Sequence, residues 1–286
     1  MSRARTQLWS VGRRPYTRRT MPVDADAILS LAVDLATQAA AVHSAGRGTL
    51  LRIEEKGSPF SLVTQVDREA ERVIVDGIRA ARPDDEILGE EGTSVPGSSG
   101  VRWLVDPVDG TTNYVYGYAA YSASIGVEID GQPAVGVVYD TGRDVLYRAV
   151  RGRGATANGD PIEASDKDEL DTALVATGFA FDPTLRTRQG ETLTKILARV
   201  RDIRRSGSAS IDLLSLATGA VDAYYEGGLS PWDVAGGAVI AEEAGATVLR
   251  STVDGFPGIG VIGANRRLLE PLTTLLRDAG FALDAS

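Results

Sequence analysis

The chain has 286 residues, 43% of them hydrophobic and 24% charged, the balance of an ordinary globular protein with a sizeable core. Cysteine is absent and His43 is the single histidine, which rules out disulfides, thiolate nucleophiles and cysteine zinc sites, and leaves no room for Ser-His-Asp hydrolysis or a histidine-based phosphatase. The net charge is −9, and six Arg without an acid in the first 20 residues leave −15 on the remainder; this argues against nucleic-acid binding by the body of the protein and calls for local positive charge wherever a small anion binds.

The first 20 residues are basic and lack an apolar run, so they are not a secretory signal. They read as a disordered tail, a targeting peptide, or the consequence of a true start at Met21, with residues 21–286 as one domain. From Asp24, Ile28, Leu31, Leu35 and Val42 recur at helical spacing, and Gly46 and Gly48 end the helix. No stretch approaches the roughly 20 apolar residues of a membrane span, so a soluble, cytoplasmic protein is expected. His43 falls in this helix, far from any chemical motif, and reads as a surface or half-buried side chain. Residues 50–53 suit a short strand and Lys56-Gly57-Ser58-Pro59 a loop. A second helix from Asp67 places Ala70, Val73, Ile74, Ile78 and Ala81 on one face, and Pro83 closes it.

Strand signals follow at 86–88 and 101–105, then in an antiparallel meander at 121–129, 133–139 and 145–150 with turns at Asp130-Gly131 and Thr141-Gly142. The second half alternates: strands at 174–177, 202–204, 221–225, 247–249 and 260–262, and helices at 189–199, 211–218, 231–244 and 266–279. This is an α/β chain in which helices layer against sheets.

Acidic residues stand at the ends of four of these elements, and each has a plain structural reading. Glu90 and Glu91 suit a solvated loop. Asp106-Pro107-Val108-Asp109-Gly110 ends an apolar strand and suits a turn. Ser230-Pro231-Trp232-Asp233 is a capped helix start, and Asp67 is an acid favoured by a helix dipole. Carboxylates are also hard oxygen donors for Mg²⁺. Gly110 lets backbone approach a ligand closely, and a helical turn beginning at Thr111 would aim N–H groups at an anion.

In order and spacing, Gly89-Glu90-Glu91, then Trp103 through Asn113 (Trp-x-x-Asp-Pro-x-Asp-Gly-Thr-x-Asn), then Trp232-Asp233-Val234-Ala235-Gly236 resemble the signatures of the inositol monophosphatase family. The resemblance runs from about Asp24 to the last helix. It implies an α/β (α+β) fold, the layered αβαβα sandwich of the inositol monophosphatase and fructose-1,6-bisphosphatase type, with lithium sensitivity and a homodimer. It further implies two to three Mg²⁺ ions, the first held by Glu90, Asp106 and the Val108 carbonyl, the second by Asp106, Asp109 and Asp233. Phosphate would meet the N–H groups of Gly110 and Thr111. Asp67 would orient the Thr111 hydroxyl, which with Glu90 positions the attacking water. Gly207, Ser208, Ala209 and Glu226 would line the side that holds the substrate, and Lys56 matches the family's loop lysine. The expected reaction is Mg²⁺-dependent hydrolysis of a small phosphorylated polyol, myo-inositol monophosphate first. Alternatives are histidinol phosphate, a sugar bisphosphate or 3′-phosphoadenosine 5′-phosphate, or an added regulatory role at nucleic-acid machinery.

Overall fold

The structure is a computed structural model in which residues 23–48, 52–55 and 61–284 are described. Lys56 and the first half of the strand expected at 50–53 lie outside the described residues. Helix α1 (Ala25–Gly46) is followed by the antiparallel pair β1 (Ile53–Glu55) and β2 (Leu62–Thr64), then by α2 (Gln65–Ala81). Strands β3 (Glu86–Gly89), β4 (Ser94–Val95) and β5 (Val101–Asp109) lead into the short α3 (Thr111–Tyr116). The meander comprises β6 (Ser122–Ile129), β7 (Gln132–Asp140), β8 (Val145–Val150), β9 (Ala155–Ala157) and β10 (Asp160–Pro161). There follow β11 (Leu174–Thr177), α4 (Pro183–Ile196), β12 (Asp202–Arg204), α5 (Ala209–Ala217), β13 (Ala223–Leu229), α6 (Pro231–Glu243), β14 (Thr247–Val253), β15 (Phe256–Ala264) and α7 (Arg266–Ala279).

Eight strands form one sheet in the order β10-β9-β8-β7-β6-β5-β3-β4, antiparallel throughout except for β3 beside β5. Five form a second, in the order β12-β11-β13-β15-β14. Helices α1 and α2 cover the outer face of the large sheet, α5 and α6 lie between the sheets, and α4 and α7 cover the small sheet. The layers are therefore αβαβα, as the sequence resemblance implies.

The strand period of two explains how the large sheet serves two helical layers. Along β6, Ala123, Ile125 and Val127 point to α1 and α2. On the opposite face, Gly126 and Gly136 leave space for α6: a Cβ at Gly126 would lie 2.3 Å from Ala235 Cβ, and one at Gly136 would lie 2.4 Å from the Gly236 carbonyl oxygen. The first turns of α6, with Asp233 in them, thus sit directly on the sheet.

Several expectations need correction. By length and composition α1 could cross a membrane. It instead buries Ile28, Ala32, Leu35, Ala36, Ala39 and Ala40, an alanine-rich stripe that lets the helix approach the sheet closely. His43 belongs to that stripe and is fully buried, because both ring nitrogens find partners inside. Helix α4 starts six residues earlier than its apolar pattern suggests, where Asp182 caps it and Pro183 occupies the first turn. Ala81, expected on the buried face of α2, is exposed in its last turn.

Candidate active site

Strands β3 and β5 run parallel, so residues just past Gly89 and Val105, which are paired, emerge side by side. The Glu90 N–H donates to the Val105 carbonyl at 3.1 Å. Asp106 and Asp109 would face opposite sides of a regular strand, since three residues separate them. The ladder with β6 shifts register between them. This bulge, with Pro107 inside it, turns both carboxylates to one side. Asp106 Oδ1 accepts the Val108 N–H at 3.1 Å.

Asp109 is held by the start of α5. Its Oδ2 accepts from Ser208 Oγ at 2.8 Å, Ser210 N at 2.6 Å and Ser210 Oγ at 2.5 Å. Asp233, third residue of α6, accepts the Ser230 N–H at 2.7 Å in a capping box. Burial raises the Asp109 pKa in spite of its serine donors. Burial, then the charges of Glu90, Asp109 and Asp233, push Asp106 well above the usual carboxylate range. Asp233 is raised well above it too, by burial and then by Glu90 and Asp109.

Behind these groups, Asp67 is fully buried in the capping box of α2 and accepts from Thr64 Oγ1 at 2.6 Å. The Thr111 hydroxyl lies 2.8 Å from Asp67 Oδ1 and 3.0 Å from the Val108 carbonyl. Its one proton is best given to the carboxylate, which leaves the hydroxyl oxygen able to accept. Burial raises the Asp67 pKa against these bonds. Gly110, which precedes α3, has φ 93°, and a Cβ there would lie 2.7 Å from the Ala120 carbonyl oxygen, so glycine is required.

A cavity of about 610 Å³ opens on these groups. Glu90, Asp106, Val108, Asp109, Gly110, Thr111, Gly207, Ser208, Ala209, Glu226 and Asp233 all line it, whereas Asp67 stands behind Thr111. Ser208 does more than line the wall, since its hydroxyl also fixes Asp109. Glu226, on β13, accepts from Tyr224 OH at 2.9 Å, and burial raises its pKa to about 7. Gly178 makes room for it, since a Cβ there would fall 2.1 Å from the carboxylate.

Some positioning residues escaped sequence reading. Ser210 follows the predicted 207–209 loop and donates twice to Asp109. Glu71 on α2 accepts from the Glu91 N–H at 2.8 Å and from Thr93 Oγ1 at 2.5 Å, holding the loop that carries Glu90. Asn113 was visible in the motif without a role; its Nδ2 bridges the Ala120 carbonyl at 2.7 Å and the Ser206 carbonyl at 2.9 Å. Phe179, Phe181 and Arg186 add an aromatic and basic edge to the pocket.

Among the described residues, no three His, Cys, Asp or Glu side chains close into a finished metal cage. Each carboxylate has a protein partner instead, Asp106 with Glu90, Asp109 with the serines and Asp233 with its own cap. The donor chemistry nonetheless fits Mg²⁺: clustered carboxylates and a carbonyl are hard oxygen ligands, and their mutual repulsion calls for a divalent counter-charge.

The sequence profile of the inositol monophosphatase family matches residues 24–279. An inositol-1-monophosphatase of Mycobacterium bovis is 40% identical over 269 residues, covering 87% of this chain and 92% of that protein. The Nus factor SuhB of Salmonella typhimurium is 37% identical over 257 residues, covering 88% and 96%. The crystal structure of the extragenic suppressor protein suhB from Bartonella henselae superposes with a TM-score of 0.82 at 32% identity, covering 88% of this chain and 98% of that one. With that match spanning nearly all the described residues, and the carboxylates of its motifs gathered on one cavity wall, this chain belongs to the inositol monophosphatase family.

Proposed function

We propose that the protein is a Mg²⁺-dependent phosphatase that hydrolyses a polyol monophosphate, with myo-inositol monophosphate as the leading substrate. The observation that carries this is the convergence of Glu90, Asp106, Asp109 and Asp233 with Glu226 in one cavity. Glu90, Asp106, Asp109, Asp233 and the Val108 carbonyl would hold the metal. Bound Mg²⁺ supplies positive charge to the phosphoryl oxygens and acidifies water.

The chain's own groups do the rest. The N–H groups of Gly110 and Thr111 bind phosphate oxygens. Thr111, donating to Asp67, accepts a hydrogen bond from the attacking water, and the Glu90 carboxylate accepts a second one. The water oxygen then lies in line with the ester bond that breaks. Glu226 accepts hydrogen bonds from ring hydroxyls, and Gly207, Ser208 and Ala209 shape the wall beside them. This hydroxyl-accepting carboxylate favours a polyol over histidinol phosphate.

Phosphate release from a panel of monophosphates, with and without Mg²⁺ and Li⁺, tests the reading. Inositol monophosphate should be preferred, with full dependence on Mg²⁺ and inhibition by Li⁺. A large preference for histidinol phosphate would defeat the substrate assignment. The Nus-factor name of the Salmonella relative favours a second reading, a regulatory partner role. Stoichiometric partner capture unaffected by Asp109→Asn would support that role.

A further inference from the structure

We propose that His43 is a positioning residue that locks the carboxylate-bearing bulge of β5 in its metal-binding shape. The inference deepens the Mg²⁺ reading above and rests on it. His43 stands in the last turns of α1, 64 residues from the bulge in sequence. Its Nε2 lies 2.8 Å from the Pro107 carbonyl, and its Nδ1 lies 3.0 Å from Thr141 Oγ1. A carbonyl can only accept, so Nε2 carries the proton. Nδ1 then accepts from the threonine hydroxyl, which fixes the tautomer.

The partner matters because of where it sits. Pro107 is the residue between two proposed ligands, the Asp106 carboxylate and the Val108 carbonyl. In a bulge the extra residue loses its ladder partner, and the register of β5 with β6 breaks between Asp106 and Asp109. A buried carbonyl left there without a donor would be costly and free to rotate. Rotating the Pro107–Val108 peptide would turn away the Val108 N–H that holds Asp106 Oδ1 and so free that carboxylate. The imidazole removes that freedom.

His43 also ties in the far side of the motif. Its own carbonyl accepts from Tyr114 OH at 2.8 Å, and Tyr114 lies on α3, three positions after Thr111. The ring packs against Tyr114 and Tyr121 with centroids 6.1 and 6.0 Å away. One residue thus braces the metal-binding bulge with its side chain and the phosphate-binding turn with its backbone.

Side-chain reach provides the test. Glutamine can place an amide N–H near the Nε2 position, while asparagine reaches only the Nδ1 position. Methionine has glutamine's length but no donor. Mg²⁺ affinity of the full chain should be measured by titration calorimetry, with melting in EDTA as a check on folding. His43→Gln should bind Mg²⁺ within about threefold of the parent, and His43→Asn and His43→Met about tenfold or more weakly, the usual range for loss of an outer-shell partner. If asparagine prevents folding, the Gln and Met pair alone decides. Equal Mg²⁺ affinity in Gln and Met variants would overturn the proposal while leaving the metal reading intact. A parent that binds no Mg²⁺ would overturn both.

Discussion

At the residue scale, the site sets ionisation against burial. Asp109 is a carboxylate surrounded by serine donors, which favours the charged form, in a place where desolvation disfavours it. In Asp109→Asn the side-chain oxygen still accepts from Ser210, so the fold should persist, while the charge proposed to bind metal is gone. We expect near-complete loss of phosphate release with an unchanged far-UV spectrum. Wild-type-like turnover in that variant would refute the assignment of Asp109 as a ligand. His43 works in the opposite direction. Burial lowers its pKa from 6.5 to about 4, with the Pro107 bond opposing the shift only in part. Between those values the unfolded chain takes up a proton that the folded chain refuses, so this residue's contribution to stability is whole above pH 6.5 and is lost as pH falls. The loss amounts to roughly 3 kcal/mol by pH 4. Other groups titrate in the same range, so the informative quantity is the stability difference between parent and His43→Gln. Urea melts at pH 7 and pH 4 should show that difference moving in favour of the variant by about that amount.

At the element scale, close packing delivers the carboxylates. Helix α6 presents Asp233 because the sheet beneath it is glycine at Gly126 and Gly136. A methyl at Gly136 would meet backbone, the Gly236 carbonyl, which cannot swing aside. Gly136→Ala should therefore destabilise by about 1–3 kcal/mol, the usual cost of overpacking, read from the denaturant midpoint. Lifting α6 also moves Asp233, so the same variant should need more Mg²⁺ for half-maximal activity. The β5 bulge is the second such device. A regular strand would aim Asp106 and Asp109 apart, and one inserted residue gathers them.

At the scale of the whole molecule, the proposed active site lies where the large sheet, the layer of α5 and α6, and the small sheet meet. Groups from β5, α5, β13 and α6 line one cavity. Holding several carboxylates there costs folding energy through mutual repulsion, and the proposed divalent ion, binding only the folded form, would return it. At a hundred times the dissociation constant the gain is about 2.7 kcal/mol. For a chain of this size that corresponds to roughly 4–5 °C in melting temperature. Mg²⁺ should raise the melting temperature of the parent and leave Asp106→Asn unmoved. The raised pKa values of Asp106 and Asp233 mean that protons compete for them earlier than for ordinary carboxylates. The Mg²⁺-induced shift should accordingly shrink as pH falls.

From the amino-acid order alone came the family and most of the layers. The absence of cysteine and the scarcity of histidine removed the rival nucleophiles, helical spacing marked α1 and α2, and apolar runs between turn pairs marked the meander. The motifs around Glu90, Asp106 to Asn113 and Asp233 resembled the signatures of the inositol monophosphatase family. Each of these signals is carried by residues a few positions apart, or by a short motif. What only the tertiary structure decided were pairings between distant segments: Ser210 on Asp109 across 101 residues, Glu71 on Thr93 across 22, His43 on Pro107 across 64. No local pattern announces such a pairing. A serine, a glutamate or a lone histidine has the same polar appearance in sequence whether it faces water or a buried carboxylate, and only the burial imposed by the folded layers distinguishes the two.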